Sequence, residues 1–128
     1  GRRAAEIVAD VRRSIYALEG AWATTSAVGW SGMGRTVSGE TSMPELVLRR
    51  WREAEVHRTD LGLGATPDDW SPEYVRVDLE RWTMTWASRR PMGLNTLPAE
   101  ILSLPPARRL AWLMGRFDVP GIGAAGLW

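Results

Sequence analysis

Cysteine does not occur anywhere in the 128 residues. Disulfides are thereby excluded, and so is a thiolate nucleophile supplied by the protein; a thiol-dependent reaction here needs an external thiol. Lysine is missing as well, so all sixteen basic residues are arginine, the better partner for carboxylates. Without a lysine, and without the matching spacing, the glycine-rich stretch from Ser26 to Met43 is no phosphate-cradling nucleotide loop. There is no membrane-length apolar run and no signal peptide, which makes a soluble, cytoplasmic protein the expectation. A net charge of +1 offers no field to steer the chain towards nucleic acid or a membrane. The pairs Arg12-Arg13, Arg49-Arg50, Arg89-Arg90 and Arg108-Arg109 are scattered among acids, whereas a nucleic-acid surface would gather them. Only one histidine is present, His57, and Gly-x-Ser-x-Gly is absent, so hydrolase chemistry has no foothold.

What is there suits a folded domain. The 45% apolar content and eight tryptophans supply enough packing surface for an organised core. From Ala4 to Thr24, Ile7, Val8, Val11, Ile15, Leu18 and Trp22 recur at three- and four-residue steps, which predicts an amphipathic helix. Its start, Gly-Arg-Arg, carries no clear N-cap. Ser26 to Met43 reads as an ordered loop with a short extended piece at Arg35 to Val37. Ser42 and Glu45 then form a capping-box pattern with Pro44 in the first turn, predicting a helix to Asp60 or Leu61 that stops at Gly62. Val47, Trp51, Ala54 and Leu61 are its expected core face. A third helix is predicted over Pro72 to Arg89, a short strand at Glu100 to Leu104, and a helix from Pro106 to Met114. Leu110, Trp112, Leu113 and Trp128 read as packing residues, in and beyond that helix.

The chemistry concentrates in Arg49 to Gly64, RRWREAEVHRTDLGLG. Glu53 and His57 are four residues apart, so on a helix they share a face and can point an oxygen and an imidazole nitrogen at one metal ion. Two donors fall short of the three that a zinc site normally needs. Asp60, three residues past His57, is placed to take the proton of the other ring nitrogen, as a carboxylate behind a ligating histidine does. Arg50, one turn before Glu53 on the same stripe, could grip a substrate carboxylate.

The run WREAEVHRTDLGLGATPDDW resembles the signature segment of the mycothiol-dependent maleylpyruvate isomerases, a branch of the DinB-like metal-binding helical bundles. RPMGLNTLPAEIL and PPARRLAWLMGR resemble that family's C-terminal region, and EIVADVRRSIYALEGAWA resembles the helix before the signature. The resemblance implies a mainly α fold: two long helices of a DinB-like four-helix bundle in residues 1–65, then a small C-terminal helical or α+β region in 66–128. It also implies zinc as cofactor, held by Glu53, His57 and a histidine on an earlier helix that has no counterpart here. Mycothiol would be the external thiol and an unsaturated dicarboxylic keto acid the substrate, maleylpyruvate being isomerised to fumarylpyruvate. The chain accordingly reads as the C-terminal portion of such a protein, incomplete as an enzyme by itself, with no catalytic residue of its own beyond the metal ligands. The two long helices are expected to pair as a hairpin and leave an apolar face for self-association or for a missing N-terminal half. The alternative is a non-catalytic DinB-like binding or interaction module.

Overall fold

The first helix, α1 (Ala4–Thr24), has the predicted bounds. Its start is capped after all: Glu6, at the third helical position, accepts the Arg3 amide N–H at 2.9 Å and the Arg3 guanidinium at 2.8 Å. A carboxylate in the first turn satisfies one of the four N–H groups that an α-helix leaves open and complements the helix dipole. The structure, a computed structural model, describes residues 1–126. Trp128 lies outside the described residues. Two compact units divide the chain, Gly1–Val47 and Leu48–Trp128.

In the first unit α1 is followed by one helical turn, α2 (Ala27–Trp30), with Ser26 Oγ accepting the Gly29 N–H. The stretch expected to be mostly loop is instead a β-hairpin, β1 (Met33–Thr36) against β2 (Gly39–Ser42), antiparallel with Thr36 opposite Gly39. The turn is made by Val37 and Ser38, and Gly39 at φ +112° takes a conformation that side-chain-bearing residues rarely adopt. Thr36 Oγ1 closes it with a bond to the Gly39 carbonyl. Four glycines among polar residues hid the strand signal, because two of the four β1 residues and three of the four β2 residues are exposed. No residue of α1 is buried, and Ile7, Val8, Val11 and Ile15 remain 40–52% exposed along one stripe.

The helix α3 (Met43–Asp60) begins in the first unit and continues into the second. Ser42 Oγ accepts the Glu45 N–H, as the capping box requires, and Gly62 at φ +66° ends the helix. Of the expected face, Val47 and Trp51 are half-buried and Trp51 packs on the core, but the rest differs. Leu48 and Val56 are buried, whereas Ala54 is exposed and Leu61 is 68% exposed. The face is set by polar residues: Arg52 bonds Asp78, Thr59 accepts the Trp70 indole N–H at 2.8 Å, and Glu55 accepts the Ser71 N–H. Residues 48, 52, 55, 56 and 59 thus turn inward together, at helical spacing.

After α3, a 3₁₀ turn at Pro67–Asp69 leads into α4 (Pro72–Ser88), capped by Ser71 Oγ on the Tyr74 N–H. A helical turn, α5 (Ala99–Leu102), overlaps the segment Glu100 to Leu104 expected as a strand. Pro98 fixes the entry, and its carbonyl accepts the Leu102 N–H. The last helix is α6 (Pro106–Leu113), ended by Gly115 at φ +69°. Val56, Trp70, Tyr74, Val75, Leu110 and Met114 make one core cluster, and Trp86, Leu97, Ile101, Trp112 and Leu113 another. The fold is mainly helical with a small two-stranded sheet. Among the described residues no helix is long and apolar enough to cross a membrane.

Candidate functional site

Helical geometry alone assembles the candidate site. Glu53, His57 and Asp60 stand at i, i+4 and i+7 on α3, one stripe turned away from the inward face of 48, 52 and 59. His57 Nε2 is 2.9 Å from Glu53 Oε2, and its Nδ1 is 3.0 Å from Asp60 Oδ2. Both ring nitrogens therefore meet a carboxylate. About half of the Glu53 and His57 side chains is open to solvent.

Asp60 is held in turn. Arg116, on the segment after α6, places Nη2 3.1 Å from Asp60 Oδ2 and Nε 3.3 Å from Oδ1. Its Nη1 donates to the Met114 carbonyl at 2.7 Å, and the arginine is itself mostly buried. The Arg116 hydrogen bond, aided by His57, keeps the Asp60 carboxyl below the usual aspartate range against a smaller opposing effect of burial. A row of four charged or ionisable groups results: Glu53, His57, Asp60, Arg116.

This row constrains the imidazole. A neutral ring has one donor and one acceptor nitrogen. With the Nδ1 proton given to Asp60, Nε2 would turn a lone pair towards the Glu53 carboxylate, which repels it. Two arrangements relieve the conflict: a second proton on the ring, or a cation shared by Nε2 and the Glu53 oxygen. Imidazole nitrogen and carboxylate oxygen are ordinary zinc donors, and two donors of one tetrahedral zinc stand about 3.3 Å apart, near the 2.9 Å found. The residues present fit two positions of such a site. Among the described residues no group of three histidine, cysteine, aspartate or glutamate side chains gathers as a metal cage, so a third donor would come from outside the cluster.

Arg50 sits one turn before Glu53 and is exposed; the bonds of the row do not include it. Arg116 escaped sequence reasoning because it lies 56 residues from Asp60, and no local pattern links such positions. A second cluster was also missed: Arg52 grips the fully buried Asp78 through two bonds, at 2.7 and 2.5 Å, and Tyr74 donates to the same carboxylate at 3.0 Å. Its one signal was an aspartate inside the apolar stripe Tyr74, Val75, Leu79, Trp82 and Trp86. Elsewhere in the second unit, Trp70, Pro72, Val75, Leu79 and Pro105 help line a cleft of about 640 Å³ that shares no residue with the His57 row.

Two outcomes follow from the Asp60 environment. In Arg116→Gln the Asp60 carboxyl should titrate at a higher pH, back towards the ordinary range, as read by carboxyl-detected NMR; an unmoved midpoint would show that Arg116 does not hold it. The second concerns acid stability. Asp60, Asp68 and Asp69 all lie below the usual range, held by Arg116, Arg108 and the Thr66 N–H respectively. Carboxyls depressed in the folded state contribute stability that is fully present above their unfolded value and lost as pH falls through the folded one. The urea midpoint should accordingly be insensitive to these groups near neutrality and decline below about pH 4. A midpoint unchanged down to pH 3 would contradict it.

Comparison with known proteins places Glu53, His57 and Asp60, though not Arg116, inside a matched segment: residues 1–62 match the family model described as mycothiol maleylpyruvate isomerase N-terminal domain. No curated protein and no solved structure matches.

Proposed function

We propose, from the match of residues 1–62 to the mycothiol maleylpyruvate isomerase N-terminal domain model, that the chain acts within a metal- and mycothiol-dependent cis–trans isomerase of maleylpyruvate or a closely similar unsaturated keto acid. The observation that carries this reading is the sole histidine, inside the matched segment, with Glu53 2.9 Å from one ring nitrogen and Asp60 3.0 Å from the other. Glu53 and His57 would hold zinc, which when bound supplies the positive charge that keeps an external thiol as thiolate at neutral pH. Asp60 keeps the Nδ1 proton and so leaves Nε2 as the ligating atom; Arg116 fixes Asp60 in that role. The half-open faces of Glu53 and His57 leave room for a thiol and a small acid. Arg50, exposed one turn away, is the residue assigned to a substrate carboxylate, since guanidinium matches that group's geometry. An Arg50→Ala protein with unchanged KM would remove Arg50 from the scheme.

Residues 1–65 are taken as bundle and 66–128 as the family's small C-terminal region, and the exposed apolar stripe of α1 is taken as a surface for a second copy or a further helical segment. The deciding assay follows maleylpyruvate in the ultraviolet with zinc, with and without mycothiol. Thiol-dependent conversion that disappears in Glu53→Gln supports the reading. No conversion in the zinc-loaded protein would favour the second reading, a non-catalytic DinB-like binding module. That reading draws its support from the lack of a three-donor cage among the described residues.

A further inference from the structure

The cleft of about 640 Å³ in the second unit lies wholly outside the matched residues 1–62 and shares none with the Glu53–His57–Asp60 row. Its walls come from three places in the chain: Trp70 after the 3₁₀ turn, Pro72, Val75 and Leu79 on α4, and the start of α6 at Pro105. Trp70 and Val75 are buried, whereas Pro72, Pro105 and Pro106 are exposed. The floor is therefore core and the mouth is proline. Clefts of roughly 300–1,000 Å³ are the size that holds a small molecule.

The polar side chains of this cleft are engaged or lie at its rim. Trp70 donates its indole N–H to Thr59 at 2.8 Å, and Asp68 accepts Arg108 Nε and Nη2 at 3.0 and 2.6 Å. Among the described residues, none of the buried side-chain polar atoms left without a partner belongs to it. Pro105 and Pro106 bring no N–H to the start of α6. Arg76 and Glu80 are exposed, one turn apart on α4 and opposite in sign; together with the Asp68–Arg108 pair the rim balances two acids against two arginines. The walls are also preformed. Asp68–Arg108 ties the 3₁₀ turn to α6, and the Trp70 ring stands edge-on to Tyr74, centroids 5.9 Å apart.

We propose that this cleft binds an uncharged, apolar molecule of two or three rings, seated on the Trp70–Val75 floor between Pro72 and Pro105. Such a molecule gains by leaving water and needs no polar partner that the interior lacks. A charged one would lose its hydration with nothing inside to replace it, and the balanced rim offers no field of one sign to draw it in. Walls fixed beforehand need little ordering on binding. The inference does not rest on the isomerase reading, because it invokes neither metal, thiol nor acid.

N-phenylnaphthylamine, an uncharged dye whose emission rises on leaving water, is the probe, with its sulfonated analogue as the charged counterpart. Fluorescence titration of the whole chain should give saturable one-site binding of the neutral dye, about tenfold or more tighter than the sulfonated one. Ala107→Phe adds a ring to the wall and should weaken the neutral dye by about tenfold. Pro72→Glu, at an exposed position in the first turn of α4 where a carboxylate suits the helix dipole, brings charge to the mouth and should weaken it likewise. Val11→Glu, on the exposed apolar stripe of α1, should leave it unchanged. Circular dichroism checks the folding of each variant. Overturning results are no saturable binding, equal affinity for the two dyes, unchanged affinity in whichever cleft variants fold, or loss of binding in Val11→Glu, which would put the dye on α1. A dimer in sedimentation that the cleft variants disperse would give the cleft to a second copy and overturn the proposal as well. None of these outcomes depends on zinc or turnover, so failure here leaves the isomerase assay to be judged by itself.

Discussion

Asp78→Ala is expected to lower the unfolding free energy by about 3–5 kcal/mol, a large share of the roughly 5–15 kcal/mol that a domain commonly has. Asp78 is fully buried, and its two oxygens receive Arg52 Nε, Arg52 Nη2 and the Tyr74 hydroxyl. Removing it strands a mostly buried guanidinium and a buried phenol without their acceptor, and desolvation of those groups is then no longer repaid. Burial, followed by the Asp78 charge and bond, pushes the Tyr74 hydroxyl far above its ordinary range, so it stays neutral and donates to Asp78. A folded value raised in this way contributes stability that is complete below the unfolded value and lost as pH rises past it; the wild type should weaken above about pH 10. Arg52→Met should cost a similar amount, since it leaves a carboxylate buried with only Tyr74. The discriminating protein is Arg52→Met with Asp78→Leu, in which neither charge remains. Replacing a buried pair by apolar groups is often neutral, so the double variant should recover much of what either single one loses. Urea denaturation measures all three. Additive losses in the double variant would mean that the two side chains matter for packing and not as a pair.

This cluster also explains where the sequence was legible. Helix ends carried local chemistry, and at α3 the reading held, with Ser42 and Glu45 at its start and Gly62 after its end, whereas the Arg3–Glu6 cap of α1 was missed. Each is settled within four residues, the range over which capping acts. The facing of α3 was not local. An apolar-stripe argument selects Val47, Trp51, Ala54 and Leu61, of which Trp51 does pack on the core, but Arg52, Glu55 and Thr59 have partners on α4 and the turn before it, 11–26 residues away. Those bonds outweigh the hydrophobicity of Ala54 and Leu61 and turn the helix so that Leu48 and Val56 go inward. The same rotation leaves Glu53, His57 and Asp60 facing outward as one stripe. Their spacing was visible in the sequence; the guanidinium of Arg116 that braces the stripe was not.

The metal reading is most exposed to test at His57. Titrated with zinc, the wild type should bind one ion per chain, and His57→Ala should bind it roughly a hundredfold or more weakly. That bound comes from comparison with residues behind a ligand, whose loss already costs about 10–100-fold; a ligand itself should cost at least as much. Asp60→Asn serves as the internal scale. It leaves Nε2 and Glu53 in place but replaces an ionised acceptor of the Nδ1 proton by a neutral amide, so its loss should fall within the 10–100-fold range. Arg116→Gln should fall at the low end, because Asp60 stays and only its brace is gone. The expected order of affinity is therefore wild type, Arg116→Gln, Asp60→Asn, His57→Ala, read by competition with a chromophoric chelator. Zinc held equally by wild type and His57→Ala would place the metal elsewhere and remove the Glu53–His57 pair from the mechanism. Zinc absent from both would mean that two donors on α3 are too few, and that a donor from outside residues 1–128 must be present before the pair can hold the ion.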